Sequence, residues 1–252
     1  MDESTHGIIL RVRPLTETSL IVHWLTAEHG RLSTVAKGAR RPKSTFRGKL
    51  DLLFEGGFAF RRSRKSDLHI LREVYIEATH ANLRDDIPRL QLLAYATRFI
   101  ESATEPENSL PGIHVIFSTL LSHLDTHPTR PALVYALEIK LLNELGIAPS
   151  LDETHLNDGT RDLLDRLAIL NWETITQLKP TRSQAEAARQ FLGNFIQHNL
   201  GNIPKGRDTA LGIYESKHPK FIIRSTQPPI QPIYHVRESD PRGSPPPRPR
   251  EY

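Results

Sequence analysis

Near Ala78 the spacing of apolar residues changes from two to about 3.6, and this switch constrains the fold more than any motif does. Upstream of it, residues 7–13 (GIILRVR) and 19–25 (SLIVHWL) are rich in β-branched side chains, with Pro14, Thr16 and Glu17 forming a turn between them. They read as the first two strands of an antiparallel sheet. Residues 31–37 follow the turn His29-Gly30 as a third strand. Residues 52–60 give a fourth, in which Gly56-Gly57 predicts a bulge or sharp bend. Residues 68–76 give a fifth, with Leu68, Ile70, Val74 and Ile76 on one face. Five strands in about 80 residues fit a small closed barrel, because closure removes exposed edges. The OB-fold fits this size best; SH3-like barrels and split sandwiches are the alternatives.

Downstream, residues 88–104, 113–127, 131–145, 160–170 and 184–200 read as helices. The third is apolar on nearly all sides, which predicts the buried centre of a bundle, and Gly146 stands where a C′ glycine should. Ser183 and Glu186, after Pro180, have capping-box spacing for the last helix. The expected class is therefore α+β: an OB-fold-like barrel over residues 1–80, an all-helical domain over 81–217, and a Pro-rich, disordered tail over 218–252, where Gly243-Ser-Pro-Pro-Pro-Arg-Pro-Arg250 favours extended backbone.

Charge is uneven along this frame. Residues 1–80 hold 14 Lys/Arg against 9 Asp/Glu, whereas residues 81–217 hold 13 against 17. Within the basic part, Arg31, Lys37, Arg40, Arg41, Lys43, Arg47 and Lys49 fall in a stretch with no acid between Glu28 and Asp51. Arg61, Arg62, Arg64 and Lys65 form a second cluster in the loop before the fifth strand. Cations gathered on loops suit a polyanion, and these eleven residues are the candidate nucleic-acid contacts. Binding of single strands also uses aromatic faces for the bases. Phe46, within the basic stretch, and Trp24 are the candidates, with Phe60 a third; Trp24 sits in an alternating strand, where core packing is the favoured reading.

Other chemistry finds little support. The chain has no cysteine, which excludes disulfides, thiolate nucleophiles and cysteine-bound zinc. Nucleotide-loop and nucleophile-elbow motifs are absent. His123 and His127 have one-turn spacing but lack the glutamate of a metalloprotease helix, and Pro128 ends that helix. The acid pairs Asp85-Asp86 and Asp152-Glu153 sit beside helix starts, where acids favour the helix dipole. No catalytic residue, metal or cofactor is expected. No apolar run approaches the roughly 18–20 residues of a membrane span, and the start MDESTHGIIL is unlike a secretory leader; with no cysteine, a reducing cytoplasm is the expected location.

Three blocks give a resemblance: Arg13-Pro-Leu-Thr-Glu17-Thr-Ser-Leu20, Thr26-Ala-Glu28-His-Gly30-Arg31 and Ala36-Lys-Gly-Ala-Arg-Arg-Pro-Lys-Ser44. In order and spacing they resemble the N-terminal domain of the RecO family of bacterial recombination mediators. Leu141-Leu-Asn-Glu-Leu-Gly146, Gln197-His-Asn-Leu-Gly201 and Lys205-Gly-Arg207 extend the likeness more loosely. The resemblance implies an OB-fold joined to a helical domain, binding of single- and double-stranded DNA, strand annealing, and help in loading recombinase on DNA coated by single-stranded DNA-binding protein (SSB). It implies RecR and the acidic SSB tail as partners, and DNA-contacting cations at positions 31–49. One departure stands out. Many relatives insert a four-cysteine zinc segment after the central helix, whereas here residues 147–158, IAPSLDETHLND, lead straight to the next helix. A barrel-plus-helices RNA-binding protein is the rival reading, and a metal-dependent nuclease built on the acid pairs a more remote one.

Overall fold

The computed structural model describes residues 2–151 and 154–213. The predicted Pro-rich tail and the pair Asp152-Glu153 lie outside the described residues. Five strands, β1 (Asp2–Pro14), β2 (Leu20–Thr26), β3 (Gly30–Ala36), β4 (Glu55–Arg61) and β5 (Leu68–Ala78), close into a barrel in the order β1-β2-β3-β5-β4. All neighbours are antiparallel except β3 and β5, which pair in parallel over Ser33–Val35. This is an OB-like layout. β1 serves both sides of the closure: residues 2–8 pair with β4 and residues 7–14 with β2.

β1 begins earlier than its apolar pattern indicates. Its first residue is acidic opposite a cation: Asp2 lies opposite Arg61 and forms an ion pair with it at 2.8 Å. The expected irregularity at Gly56-Gly57 is a register shift between Glu55 and Gly56. A Cβ at Gly57 would fall 2.2 Å from the Tyr75 ring, so only glycine lets that ring lie across the strand. β5 departs from the expected single face. A second shift, opposite Ala59 and Phe60, leaves Arg72 as the extra residue. His69, Leu71 and Val74 are consequently buried, while Leu68 and Ile70 are only partly covered.

Among the described residues the helical part comprises a 3₁₀ turn (Ala81–Asp85), α1 (Ile87–Ala103), α2 (Pro111–Thr126), α3 (Pro131–Glu144), α4 (Asp158–Ile169), α5 (Trp172–Gln177), α6 (Arg182–Leu200) and α7 (Arg207–Ala210). The 3₁₀ turn, α5 and α7 are too short to show a period in the sequence. Asp86 caps α1 by accepting the Arg89 N–H at 3.1 Å. α3 is the buried centre, and it stops in a Schellman arrangement: Gly146 adopts φ +71°, its N–H donates to Asn143 O at 3.0 Å, and the Ile147 N–H donates to Leu142 O at 3.1 Å. The capping box of α6 lies two residues earlier than Ser183/Glu186. Thr181 and Gln184 form it, because the helix starts directly after Pro180, and Glu186 pairs instead with Arg189.

Among the described residues, two apolar clusters form the core. Trp24, Phe58, Phe60, Leu32 and Leu71 fill the barrel, with Trp24 stacked on Phe58 at 4.0 Å and its Nε1–H donated to Thr34 Oγ1 at 2.8 Å. The second cluster joins α1–α7 to the outer side of the barrel through Ile8, Leu10, Leu25 and Leu53. Inside it, Glu138 of α3 is fully buried, accepting from Arg207 Nε and Nη2 at 2.6 and 2.9 Å and from Tyr95 Oη at 2.6 Å.

Candidate nucleic-acid interface

Residues 37–54, between β3 and β4, are wound into consecutive turns. The N–H groups of Arg41, Ser44, Arg47 and Lys49 donate three residues back, to Gly38, Arg41, Ser44 and Phe46, at 3.0 to 3.3 Å. Topology explains why the segment packs down instead of projecting freely. β3 stops pairing with β5 at Ile70, which leaves the later part of β5 without a neighbour on that side. The loop fills the gap: Ala39 and Phe46 enter the barrel core, and Lys49 Nζ donates to Val74 O at 3.1 Å. It also docks on the β1–β2 turn, where the Arg40 N–H reaches Thr18 O at 3.0 Å and Arg40 Nη1 reaches Thr16 O at 3.4 Å. The first and third sequence blocks therefore meet in space.

This winding sorts the predicted cations. Lys37, Arg40, Arg41, Lys43 and Arg47 are exposed, and no ion pair holds any of them among the described residues. Arg40, Arg41 and Arg47 rim a cleft of about 390 Å³ with Leu20 and Leu50 in its lining. Arg31 is turned toward α1, donating through Nε to Thr104 Oγ1 at 2.8 Å and through Nη2 to Thr104 O at 2.5 Å. Lys49 is committed to Val74 as described.

The second cluster is half neutralised. Arg61 pairs with Asp2; Arg62 pairs with Glu3 at 3.0 Å and with Glu107, and covers the Phe60 ring. Arg64 and Lys65 stay exposed. The stacking candidates need correction. Trp24 and Phe60 are 0% exposed and Phe46 is 8% exposed, so all three faces are taken by the barrel core and none is presented to a base. Phe46 is inside because a loop closing the barrel needs an apolar plug. His123, half of the one-turn histidine pair, is buried: its Nε2 contacts Thr176 Oγ1 at 2.9 Å and its ring stacks on His127 at 4.4 Å.

A feature that sequence reasoning missed lies beside this face. Leu10, Leu53, Leu90, Leu93 and Ala94 line a groove of about 640 Å³ between the barrel and α1, with Arg13, Arg84 and Arg98 at its edge. Arg84 is paired with Asp51, and Arg98 donates to Lys205 O at 3.1 Å.

Two family models match the chain. Residues 1–79 fit the N-terminal domain of recombination protein O and residues 84–155 its C-terminal domain. The chain belongs to the RecO family. Similar relatives carry the name DNA repair protein RecO: that of Symbiobacterium thermophilum is 33% identical over 147 residues (58% of this chain, 57% of that protein) and that of Salinibacter ruber 29% over 160 residues (63% and 61%). That of Bacillus pumilus is 27% identical over 149 residues (59% and 57%). The matched region thus spans about three-fifths of these relatives. RecO blocks read from the sequence coincide with the β1–β2 turn, the β2–β3 turn and the start of the basic loop. Among the described residues, no three His, Cys, Asp or Glu side chains are grouped to hold a metal ion, and no helix is long and apolar enough to cross a membrane.

Proposed function

We propose that this chain is a non-enzymatic recombination mediator of DNA repair, acting in the cytoplasm at the nucleoid. It binds single- and double-stranded DNA, anneals complementary strands, and helps recombinase load on SSB-coated DNA. The observation that carries the reading is the set of five exposed cations, Lys37, Arg40, Arg41, Lys43 and Arg47, on a wound loop without ion-paired acids. A fixed loop holds its charges at constant spacing, so little ordering entropy is lost when phosphates arrive. Phosphates of two strands neutralised on one surface repel each other less, which is the electrostatic requirement for annealing. Family membership supports DNA as the ligand. Asp86, one of the four acids on which a nuclease reading would be built, is occupied in capping α1.

The test is a salt titration of binding to labelled single-stranded DNA and to RNA of the same sequence, with annealing followed in parallel. Five phosphate contacts predict a log–log slope of about −3 to −4 for single strands. Charge reversal of Arg40, Arg41 and Lys43 should flatten that slope by about two and weaken binding at least about tenfold at 0.1 M salt. Unchanged binding in the variant would sink the reading, and firm binding of RNA alone would transfer it to the RNA-binding alternative.

Of the partners that the family supplies, RecR and the acidic SSB tail, the second fits the groove by α1, where Arg98 offers a cation that no carboxylate pairs among the described residues. A peptide of the SSB tail should bind wild type and lose most of its affinity to Leu90→Glu, with DNA binding retained. Equal peptide affinity for both proteins would place the tail elsewhere.

A further inference from the structure

A third basic cluster stands on the outer wall of β1–β2–β3. Pairing register sets Arg11 opposite His23 and His23 opposite Ser33, so these three form one cross-strand row. Arg13 and Arg31 flank the row on the same strands. From α1 and its C-cap, Glu101 engages Arg11 and Thr104 engages Arg31. Arg13 is exposed, and its one hydrogen-bond partner among the described residues is another base: Arg13 Nη2 lies 2.9 Å from His23 Nε2. A guanidinium can only donate, so Nε2 accepts, and the ring proton sits on Nδ1, 2.9 Å from Ser33 Oγ. His23 is therefore held neutral among three guanidinium groups and one carboxylate. Burial, and then the charge of Arg13, push its pKa below the ordinary histidine value.

We propose that Arg13 and His23 form a phosphodiester contact on this wall, and that a nucleic-acid strand binding there takes up a proton. The phosphate oxygen accepts the Arg13 N–H that Nε2 accepts in the free protein. Nε2, released and now beside an anion, takes a proton from solvent and donates it to a second phosphate oxygen. No bond to carbon or phosphorus changes. The site adjoins the basic loop, because Arg13 leads into the β1–β2 turn on which Arg40 docks. The outward faces of strands 2 and 3 are also where OB-folds in general receive oligonucleotides. The inference rests on the DNA-binding reading and adds to it a second stretch of backbone contact, set by a titrating residue.

The groups facing His23 are Arg11 and Arg13 from β1, Arg31 and Ser33 from β3, and Glu101 from α1. Three of the four charged groups are permanent cations, so in the free protein they oppose protonation, and a bound phosphate reverses the balance. Affinity should rise as pH falls through the ordinary histidine range, because the complex binds a proton that the free protein does not.

The experiment measures binding of the full chain to a labelled single-stranded oligonucleotide at about pH 5.8 and pH 7.8. Calorimetry in two buffers of different ionisation enthalpy counts the protons taken up. Wild type should bind roughly three- to tenfold tighter at the lower pH and take up a fraction of a proton approaching one. His23→Gln should lose most of that pH gain and proton uptake while keeping the contribution of the loop cations to the salt slope. Arg13→Gln, an exposed substitution with little bearing on folding, should reduce the slope by about 0.7. If His23→Gln retains both the pH gain and the uptake, or if Arg13→Gln leaves the slope unchanged, the site is wrong while DNA binding through the loop stands. If wild type binds no DNA at any pH, the functional reading falls and this inference with it.

Discussion

Glu138→Ala should lower the unfolding free energy by about 3–5 kcal/mol, from roughly 5–15 kcal/mol for a typical domain. Glu138 has no exposed surface, and its two carboxylate oxygens take three donors: Arg207 Nε, Arg207 Nη2 and Tyr95 Oη. Removing it leaves the Arg207 guanidinium, itself 6% exposed, as an uncompensated charge. Burial together with the Glu138 charge holds the Tyr95 hydroxyl well above its usual pKa, so that oxygen stays protonated and remains a donor throughout the ordinary pH range. The cost comes mainly from the stranded partner, not from the lost attraction. Glu138→Leu combined with Arg207→Met should therefore recover most of the loss, since a well-packed apolar pair commonly matches a buried ion pair in stability. Tyr95→Phe should cost only about 1 kcal/mol. Urea unfolding followed by far-UV circular dichroism checks all three. A single substitution costing under about 1 kcal/mol would show that the pair is not sealed from water. DNA affinity of the folded protein should be unaffected, because the network lies within the helical core and not at the loop.

The same pair shows where sequence reasoning stops. Barrel and bundle were legible because each rests on a local period: alternation in β2 and β3, the apolar circumference of α3, the glycine that closes it. Glu138 sits in the middle of that apolar helix, and its partner is 69 positions away on a four-residue helix with no pattern of its own. Nothing local announces such a contact. The basic loop was equally legible as composition, yet which of its cations remain free depends on the gap beside β5. That gap turns Lys49 inward and makes Phe46 a plug. Arg61 and Arg62 are partnered through the β1–β4 pairing, which brings Asp2 and Glu3 beside them. A polar run at the start of the chain facing a basic run 59 positions later was the available signal. It becomes readable only once the topology that pairs β1 with β4 is known. The parity switch in β5 and the position of the α6 cap have the same character: each shifts the pattern by a residue or two, which alternation or a four-residue motif alone does not resolve.

His80→Asn should destabilise the protein by about 2–3 kcal/mol near pH 6 and by progressively less as the pH is raised. His80 ends the connection from β5 and lies in the left-handed region, φ +47°, a conformation that asparagine tolerates well, so the substitution removes the charge without forcing the backbone. Its side chain is 4% exposed between two carboxylates of different parts of the fold: Glu55 of β4 at 3.4 Å and Asp125 of α2 at 2.5 Å. Burial by itself lowers the pKa of the imidazole, but the hydrogen bonds and charges of Glu55 and Asp125 outweigh it and leave the value raised. The hydrogen bond from His80 likewise leads the causes that lower the pKa of Glu55, with one from Ser118 adding to it. A raised histidine pKa stabilises the fold in full below the unfolded value of about 6.5, and the contribution disappears as pH rises through the folded value. The depressed Glu55 pKa works from the other side: its contribution is present above the unfolded carboxylate value and is lost as pH falls through the folded one. The clamp between barrel and α2 is thus strongest in mildly acidic solution. Without His80 the two carboxylates lose the cation between them, and Asp125, whose Oδ1 is already buried without a hydrogen-bond partner among the described residues, also loses the partner of its Oδ2. Unfolding of wild type and His80→Asn compared from about pH 5 to pH 9 checks this: the two stability curves should converge on the alkaline side. Parallel curves would mean that His80 contributes through packing alone, and that its charge does not couple the barrel to the helices.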